Sequence, residues 1–427
     1  MPVRLPVRRP IRYPADGLAA LILAGVLPEP RLMWDFARAE GTRRITVTRP
    51  GTATRTGNDG TRQTVGANLP RYEYDPRSLA CLGLLYEPGA TNGLLRSDDV
   101  TNASWFKDNT TAPAADSVVE NTANSAHAIV QAPTIAGNTL YNTSTELLQS
   151  GRRYVQVLAD PGDATNYRWA TFDLQDGVVT DASSGTTPRI LPAPGGYWLC
   201  GVTYTSAAVP SNPYVGAFAS TSPTGFYPTH VGNGLEAFKV RGFQNEAGPL
   251  PTSRIPTAGA TVTRNADLIK LDASAFSEIW NILAGSMLVE AVLPVGAVAS
   301  SFPALLSCND NTANERINLF VTESTASVGM SINDGGVAQA TVNVASAFSA
   351  GAILRAAGGW RLNDSIAAVG GVLGTRDTAC TIPTCTQMEF GRQQGGLSAS
   401  APVLIRRAAY WPYRLPDGVL AEITRAA

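Results

Sequence analysis

Residues Gly242–Asp267 read GFQNEAGPLPTSRIPTAGATVTRNAD, and this stretch decides how the rest of the chain divides. Apolar alternation runs up to it and fresh alternation starts beyond it. Inside it, Pro249, Pro251 and Pro256 interrupt the pattern. Proline has no N–H to give to a sheet ladder, so such a run is confined to edges, turns or a linker. The stretch reads as the seam between two β-domains.

Upstream of the seam, strand patterns of period two recur at sandwich-like spacing, as in Tyr154-Val155-Gln156-Val157-Leu158 and Trp198 through Tyr204. Gly162-Asp163, Gly195-Gly196 and Gly232-Asn233-Gly234 supply the turns between them. Downstream, similar runs cover Met287–Leu293, Arg316–Val321, Ser327–Ile332 and Pro402–Tyr410, and Asn333-Asp334-Gly335-Gly336 is a hairpin signal. A short helix is expected at Asp417–Thr424.

Composition agrees with this reading. Of 427 residues only 16% are charged, while glycine (40) and proline (29) are abundant, which suits strands joined by many turns. The 33 basic and 34 acidic residues nearly cancel, so no overall field favours nucleic acid or an anionic membrane. The expected fold is all-β: an N-terminal segment over 1–66, then two tandem antiparallel sandwiches over 67–256 and 257–427.

Residues 1–16 interleave arginine with proline and cannot build a core alone. A short helix is expected from Asp16 to Leu27, stopped by Pro28 and Pro30, then a strand at Ile45–Thr48 and a tight turn at Asn58-Asp59-Gly60. Residues 1–16 read either as a floppy tail or as an arm that docks into a neighbouring protein. The strands from Leu32 to Val65 are too few for a core of their own, so they are expected to pair with the following domain or with other subunits. The whole reads as an extended anchoring arm whose removal over 1–60 leaves the sandwiches folded. Its apolar run is too short to span a bilayer and lacks a small-residue cleavage site, so neither export nor membrane insertion is expected.

The chemistry of the chain is sparse. Cys81, Cys200, Cys308, Cys380 and Cys385 form no CxxC pair and have no histidine nearby, which excludes a zinc site of the usual spacing. Buried free thiols are the expectation, although Cys380 and Cys385 bracket a loop short enough for a small disulfide. His127 and His230 stand far apart in sequence and read as locally hydrogen-bonded side chains. No phosphate loop or nucleophile elbow is present. Glu290 and Glu389 each stand alone on a strand, without the alternate-position partner that a hydrolase of this architecture uses.

Aromatic side chains are the better candidates, because π-faces stack on the C–H faces of sugars. Tyr167 and Trp169 lie on one face of the same strand, and Tyr214 with Phe218 can share a sheet with them. Trp360 is a further candidate; for each, a place in the sandwich core is the competing reading. Trp105 and Trp198 read as structural. No cofactor or metal is required; the one oxygen-rich loop open to calcium is Asn309, Asp310 and Asn311, which reads first as an Asx-rich turn.

Several stretches resemble bacteriophage and prophage virion proteins. Asn68–Leu95, NLPRYEYDPRSLACLGLLYEPGATNGLL, resembles their extended DYDP-like stretch leading to GLLIE and TNLLL, and Ser97 through Trp105 is similar to the continuation SEDFSNAAW. Gly195–Cys200 resembles their GWYRC strand. The seam from Gln244 to Thr257 resembles QLEEGSFPTSYIPT, and Thr263–Asp267 resembles TRAAD. Ile405–Asp417, IRRAAYWPYRLPD, is similar to the closing strand of concanavalin A-like, laminin-G-type sandwiches. Leu199 departs from the usual arginine and Asn245 from the usual leucine. The resemblance covers roughly 66–427.

It implies a non-enzymatic virion component of fibre type, on tail or head, with a jelly-roll sandwich followed by a concanavalin A-like one. It further implies assembly in the host cytoplasm into the virion, as a homotrimer joined to other virion proteins through residues 1–66. The ligand it implies is host cell-surface polysaccharide. A tailspike-type depolymerase and a ligand-free capsid decoration protein are the alternatives.

Overall fold

The strand Leu32–Asp35 lies antiparallel to Val403–Trp411, with Leu32 opposite Tyr410 and Asp35 opposite Arg407. The beginning and end of the described chain thus share one sheet. The computed structural model describes residues 27–39, 44–163, 165–293, 303–322, 327–345, 351–393 and 401–425. The arginine–proline segment 1–16 and the helix expected to end at Leu27 fall outside these residues, apart from Leu27 itself.

The first sandwich has two six-stranded sheets. One runs in the order Thr187–Pro192, Trp198–Thr205, Leu140–Gln149, Glu236–Ala247, Ser117–Glu120, Thr110–Thr111. The other runs Val178–Ala182, Arg168–Asp173, Tyr154–Ala159, Val215–Ser220, Ala128–Gln131, Phe106–Asp108. Their inner faces bury the alternate residues that the sequence pattern marks, among them Val155, Val157, Cys200, Val202 and Tyr204.

The second sandwich joins an eight-stranded sheet to a seven-stranded one. The first contains Ile353–Arg361, Ala284–Val292 and Val403–Trp411 at its centre, extended by Cys81–Tyr86 and Tyr72–Tyr74. The other runs from Ile45–Thr48 through Leu268–Leu271, Gln387–Phe390, Ala304–Asn309, Arg316–Thr322 and Ser327–Asp334 to Val337–Ala345. The expected hairpin turn at Asn333–Gly336 joins its last two strands. The expected helix Asp417–Thr424 forms and buries Leu420 and Ile423.

Strand pairing divides the chain differently from the division at 66 and 256. Leu32–Asp35, Ile45–Thr48, Tyr72–Tyr74 and Cys81–Tyr86 all belong to sheets of the second sandwich. Trp34 and Phe36 sit in its core, each packing edge-on to Phe390 at centroid distances of 5.3 and 5.9 Å. The described part of the expected arm is therefore built into the fold. Four-residue strands with alternate burial cannot bury a face alone, so they complete whichever sheet has an open edge. Their local pattern carries no label for that distant partner.

The first sandwich is consequently an insertion. The chain leaves the second sandwich after Tyr86, enters through Ala90–Asn92 and returns through Val262–Arg264, and these two short strands pair with each other. The Gly242–Asp267 seam is the return half of this doorway, its first-sandwich strand running on to Ala247. A buried ion network bolts the doorway. Arg71 Nη1 meets Glu87 at 2.7 Å, Arg49 Nη1 meets Asp267 at 2.8 Å, and Arg71 Nη2 reaches the other Asp267 oxygen. Burial opposes the charge on Glu87, but Arg264, Arg71 and the Ser253 hydroxyl hold its carboxyl down at about 2.

All five cysteines are free, so the short loop between Cys380 and Cys385 is not closed by a disulfide. No helix among the described residues is long and apolar enough to cross a membrane, a statement that does not bear on strands.

Candidate functional site

Strand register in the first sandwich lays a row of side chains across the outer face of one sheet. Trp169 is opposite Leu158, Leu158 opposite Gly216, Gly216 opposite Val130 and Val130 opposite Phe106. Directly opposite residues of an antiparallel pair share a face. The same period that sends Val155, Val157 and Ala159 inward turns Leu158 and Gln156 outward. A second row runs Thr171, Gln156, Phe218, Ala128 and Asp108.

On this surface three of the four aromatic candidates come together. Tyr167 and Tyr214 approach with ring centroids 6.0 Å apart, and Tyr167, Trp169 and Tyr214 pack around Ala126, Ala128, Leu158 and Phe218 as partly buried side chains. Two aromatics that the sequence reading missed complete the surface. Phe226 stacks on Tyr167 at 5.1 Å with an interplanar angle of 22° and lies 6.1 Å from Trp169. Tyr227 packs 5.2 Å from Phe218. Phe226 is 45% exposed and Tyr227 37%, so this is a surface with open ring area rather than a closed core.

Both added rings sit on the loop after Ser220, a Ser-Pro-Thr-Gly run that reads locally as a plain turn. Side chains of the sheet fix it. Gln156 Nε2 donates to the Gly225 carbonyl at 2.9 Å, and Gln156 Oε1 accepts from the Tyr227 amide at 3.1 Å. Asp181 Oδ2 accepts from the Gly225 amide at 2.9 Å, and the Thr180 hydroxyl donates to the Pro223 carbonyl at 2.6 Å. Tyr227 itself has φ +51°, a left-handed conformation that a bulky residue holds only when its surroundings enforce it. Burial and the neighbouring Tyr167 push the Tyr214 hydroxyl well above its ordinary range, so Tyr214 stays a neutral donor.

Just beyond the loop, His230 joins a buried cluster with Glu120 and His127. Glu120 Oε2 accepts from Arg152 Nε at 3.2 Å and faces His230 Nε2 at 2.9 Å. Glu120 Oε1 accepts from the Asn233 amide at 2.9 Å and from Arg152 Nη2. Burial opposes that charge, yet the Arg152 and His230 contacts hold the carboxyl at about 2. His127 spans the Asn109 carbonyl at 3.0 Å and the Ala123 and His230 carbonyls at 3.2 Å. A metal ion here would have to displace Arg152 from a carboxylate whose acceptor positions are all engaged. The cluster acts as the second anchor of the aromatic loop, and both histidines have the local partners expected of them.

The fourth aromatic candidate does not join this surface. Trp360 is 0% exposed and faces the core of the second sandwich, between Trp280 at 5.9 Å and Tyr410 at 6.4 Å. It pairs with Gly285, where a Cβ would lie 2.4 Å from its ring, so the small partner makes room for the indole inside. Period two marks one face of a strand but not which face is inside.

The Asn309–Asn311 loop is a turn with its oxygens in use. Asn309 is fully buried and its Oδ1 accepts from the Asn311 amide at 2.9 Å and from Gln387 at 2.7 Å. Asp310 Oδ1 accepts from the amide and hydroxyl of Thr312 at 2.8 and 2.7 Å. A calcium ion would have to compete with these bonds.

Neither a protein-family model nor a curated protein sequence matches the chain. Among solved structures, it is similar to the CBM40 domain of the Ruminococcus gnavus IT-sialidase bound to α2,3-sialyllactose, at 17% identity and TM-score 0.30, over 34% of this chain and 84% of that one. It is similar to the NanB sialidase of Streptococcus pneumoniae at 11% identity and TM-score 0.32, over 38% and 26% of the two chains. It is also similar to the heptameric SAP-like pentraxin of Limulus polyphemus at 10% identity and TM-score 0.27, over 34% and 72%.

Proposed function

We propose that this chain is a non-enzymatic, fibre-type virion protein that attaches to host-surface polysaccharide through the outer face of its first sandwich. One observation carries the binding role. Trp169 on a strand, Tyr167 and Tyr214 each just before one, and Phe226 and Tyr227 on one clamped loop form a single aromatic surface with open ring area. Stacking of rings on sugar faces needs such a surface, and the fixed loop lowers the entropy cost of offering it. The virion assignment is supported by the sequence resemblance of the seam and the closing strand, and it brings with it the homotrimer and the virion partners.

One carboxylate beside the surface holds the loop in place rather than standing free for hydrolysis. Asp181 is tied to the Ala182 and Gly225 amides at 2.9 Å each, which leaves it a structural acceptor. A glycan array probed with the full chain and with Trp169→Ala tests the reading. Retention of a polysaccharide series by the parent and its loss in the variant is the expected result. Equal retention by both removes the surface from the account. Release of reducing sugar from any retained glycan would favour the depolymerase alternative.

A further inference from the structure

We infer that the sugar-binding surface runs on across the sheet to Phe106, so that it holds a run of several linked sugar rings and not one terminal sugar. The inference rests on the glycan-attachment reading above and adds to it the length of the site and its far end.

The strand Phe106–Asp108 is the last of its sheet. Edge strands are usually blunted by charge or proline. This one presents a phenylalanine that is 64% exposed. A single exposed apolar side chain is ordinary; what singles this one out is its place. Phe106 ends the row that Trp169 begins, with Leu158, Gly216 and Val130 between them. Exposure rises along that row. Leu158 is buried in the cluster that Tyr167, Trp169, Tyr214 and Val130 pack against, Val130 is half-buried and Phe106 is open.

The neighbours of Phe106 fix which way it points. Trp105 is buried, and its indole N–H donates to the Arg96 carbonyl at 3.0 Å. Lys107 lies opposite the buried Ile129, and its ammonium donates to the Asn102 and Trp105 carbonyls at 3.0 Å each. With both neighbours held on the inner side, period two leaves Phe106 on the outer one. Asp108 shares that outer face at the end of the second row, and its Oδ1 accepts from Asn109 Nδ2 at 2.9 Å. A ring and a carboxylate side by side match the two kinds of sugar surface. The ring takes C–H faces, and the carboxylate accepts from hydroxyls.

Distance sets the length of the ligand. Neighbouring strands lie about 4.8 Å apart, so the four strand steps from Trp169 to Phe106 span about 19 Å. One sugar ring cannot touch both ends. A short oligosaccharide lying across the strands can, and the absent side chain at Gly216 keeps the floor between the ends low.

The test is a calorimetric titration of the full chain with a size ladder. The probes are fractions of one to eight sugar units, cut by mild acid from a polysaccharide that the glycan array retains. Parent affinity should rise with length and then level off. Phe106→Ala should match the parent on the single unit and lose roughly two- to tenfold on the longest fraction. Phe106→Trp should keep the long-fraction affinity, and Trp169→Ala should lose affinity at every length. A parent affinity that does not rise with length overturns the inference, as does Phe106→Ala equal to the parent on every fraction. A loss of the same size at every length also overturns it, since the missing ring then acts through the sheet and not at a far end. Loss in Trp169→Ala alone leaves the attachment reading standing without the extension, whereas both variants equal to the parent remove both. Phe106 is mostly exposed, so its variants should melt with the parent.

Discussion

Gln156 grips the backbone of Tyr227: its Oε1 accepts the Tyr227 amide at 3.1 Å while its Nε2 donates to the preceding Gly225 carbonyl at 2.9 Å. One buried amide side chain thereby sets the position of the two rings that turn a strip of three aromatics into a surface. Removing it leaves a backbone donor and acceptor unpaired, at a cost of roughly 1–3 kcal/mol. Gln156→Ala should therefore lower glycan affinity about tenfold while the sandwich stays folded. Hydrogen exchange at Gly225 and Tyr227 should accelerate in the variant. Unchanged exchange there would show that Asp181 and Thr180 hold the loop unaided.

Gly216 sits in the middle of the row that underlies the aromatic surface. A Cβ at this position would lie 2.4 Å from Val130 Cγ1 and 2.5 Å from the Ile129 carbonyl oxygen. The carbonyl belongs to a paired strand and cannot yield. Gly216→Ala should destabilise the first sandwich by roughly 1–3 kcal/mol through overpacking. A thermal melt of the variant checks this, and a midpoint equal to the parent's would contradict it.

The buried carboxyl of Glu246, on the strand that enters the seam and ends at Ala247, gives a pH dependence of defined sign. Burial pushes it up to about 7 from an ordinary 4.5, although Thr252 donates to it. A carboxyl whose folded value lies above its unfolded value costs nothing below 4.5. It destabilises progressively as pH rises towards 7, by about 3 kcal/mol in full. Glutamine can keep the same contacts, accepting from the Thr252 amide and donating to its hydroxyl. Glu246→Gln should therefore leave stability unchanged near pH 4.5 and raise it near pH 8, read by denaturant unfolding at the two pH values.

The N-terminal strands predict a truncation result opposite to that of a detachable arm. Trp34, Phe36 and Val47 are buried in the second sandwich, and each such side chain is worth roughly 1.5–3 kcal/mol. A chain beginning after Thr48 also loses one strand from each of that sandwich's two sheets. It should melt earlier in the second sandwich and leave the inserted first one intact. Limited proteolysis that cuts after 262 in the truncated chain but not in the parent would show this.

How much of this was readable in advance follows from the range of the signals. Alternation in Tyr154–Leu158 and Trp198–Tyr204 reports which residues share a face, so the strands, the hairpin at Asn333–Gly336 and the Tyr167–Trp169 pair were legible. It cannot report which face is inside, and Trp360 went to the core for that reason. Phe226 and Tyr227 carry no periodic signal because a loop places them, and Gln156, Thr180 and Asp181, far off in sequence, fix where. The insertion was hidden for a similar reason. Ala90–Asn92 and Val262–Arg264 are three-residue strands whose pairing spans the whole first sandwich. The proline-marked seam announced a break between domains, whereas a break with two crossings has its other half at Glu87–Asn92, which carries no comparable mark.

The central claim is that the clamped aromatic surface binds sugar, and one titration tests it most directly. A polysaccharide retained on the glycan array is titrated into the full chain and into Tyr167→Ala, Trp169→Ala and Phe226→Ala, with the melt of each variant measured alongside. Each ring should contribute about 0.5–1.5 kcal/mol of stacking, so each variant should lose roughly two- to tenfold in affinity with its melt little changed. Affinities equal to the parent's in all three variants would contradict the account.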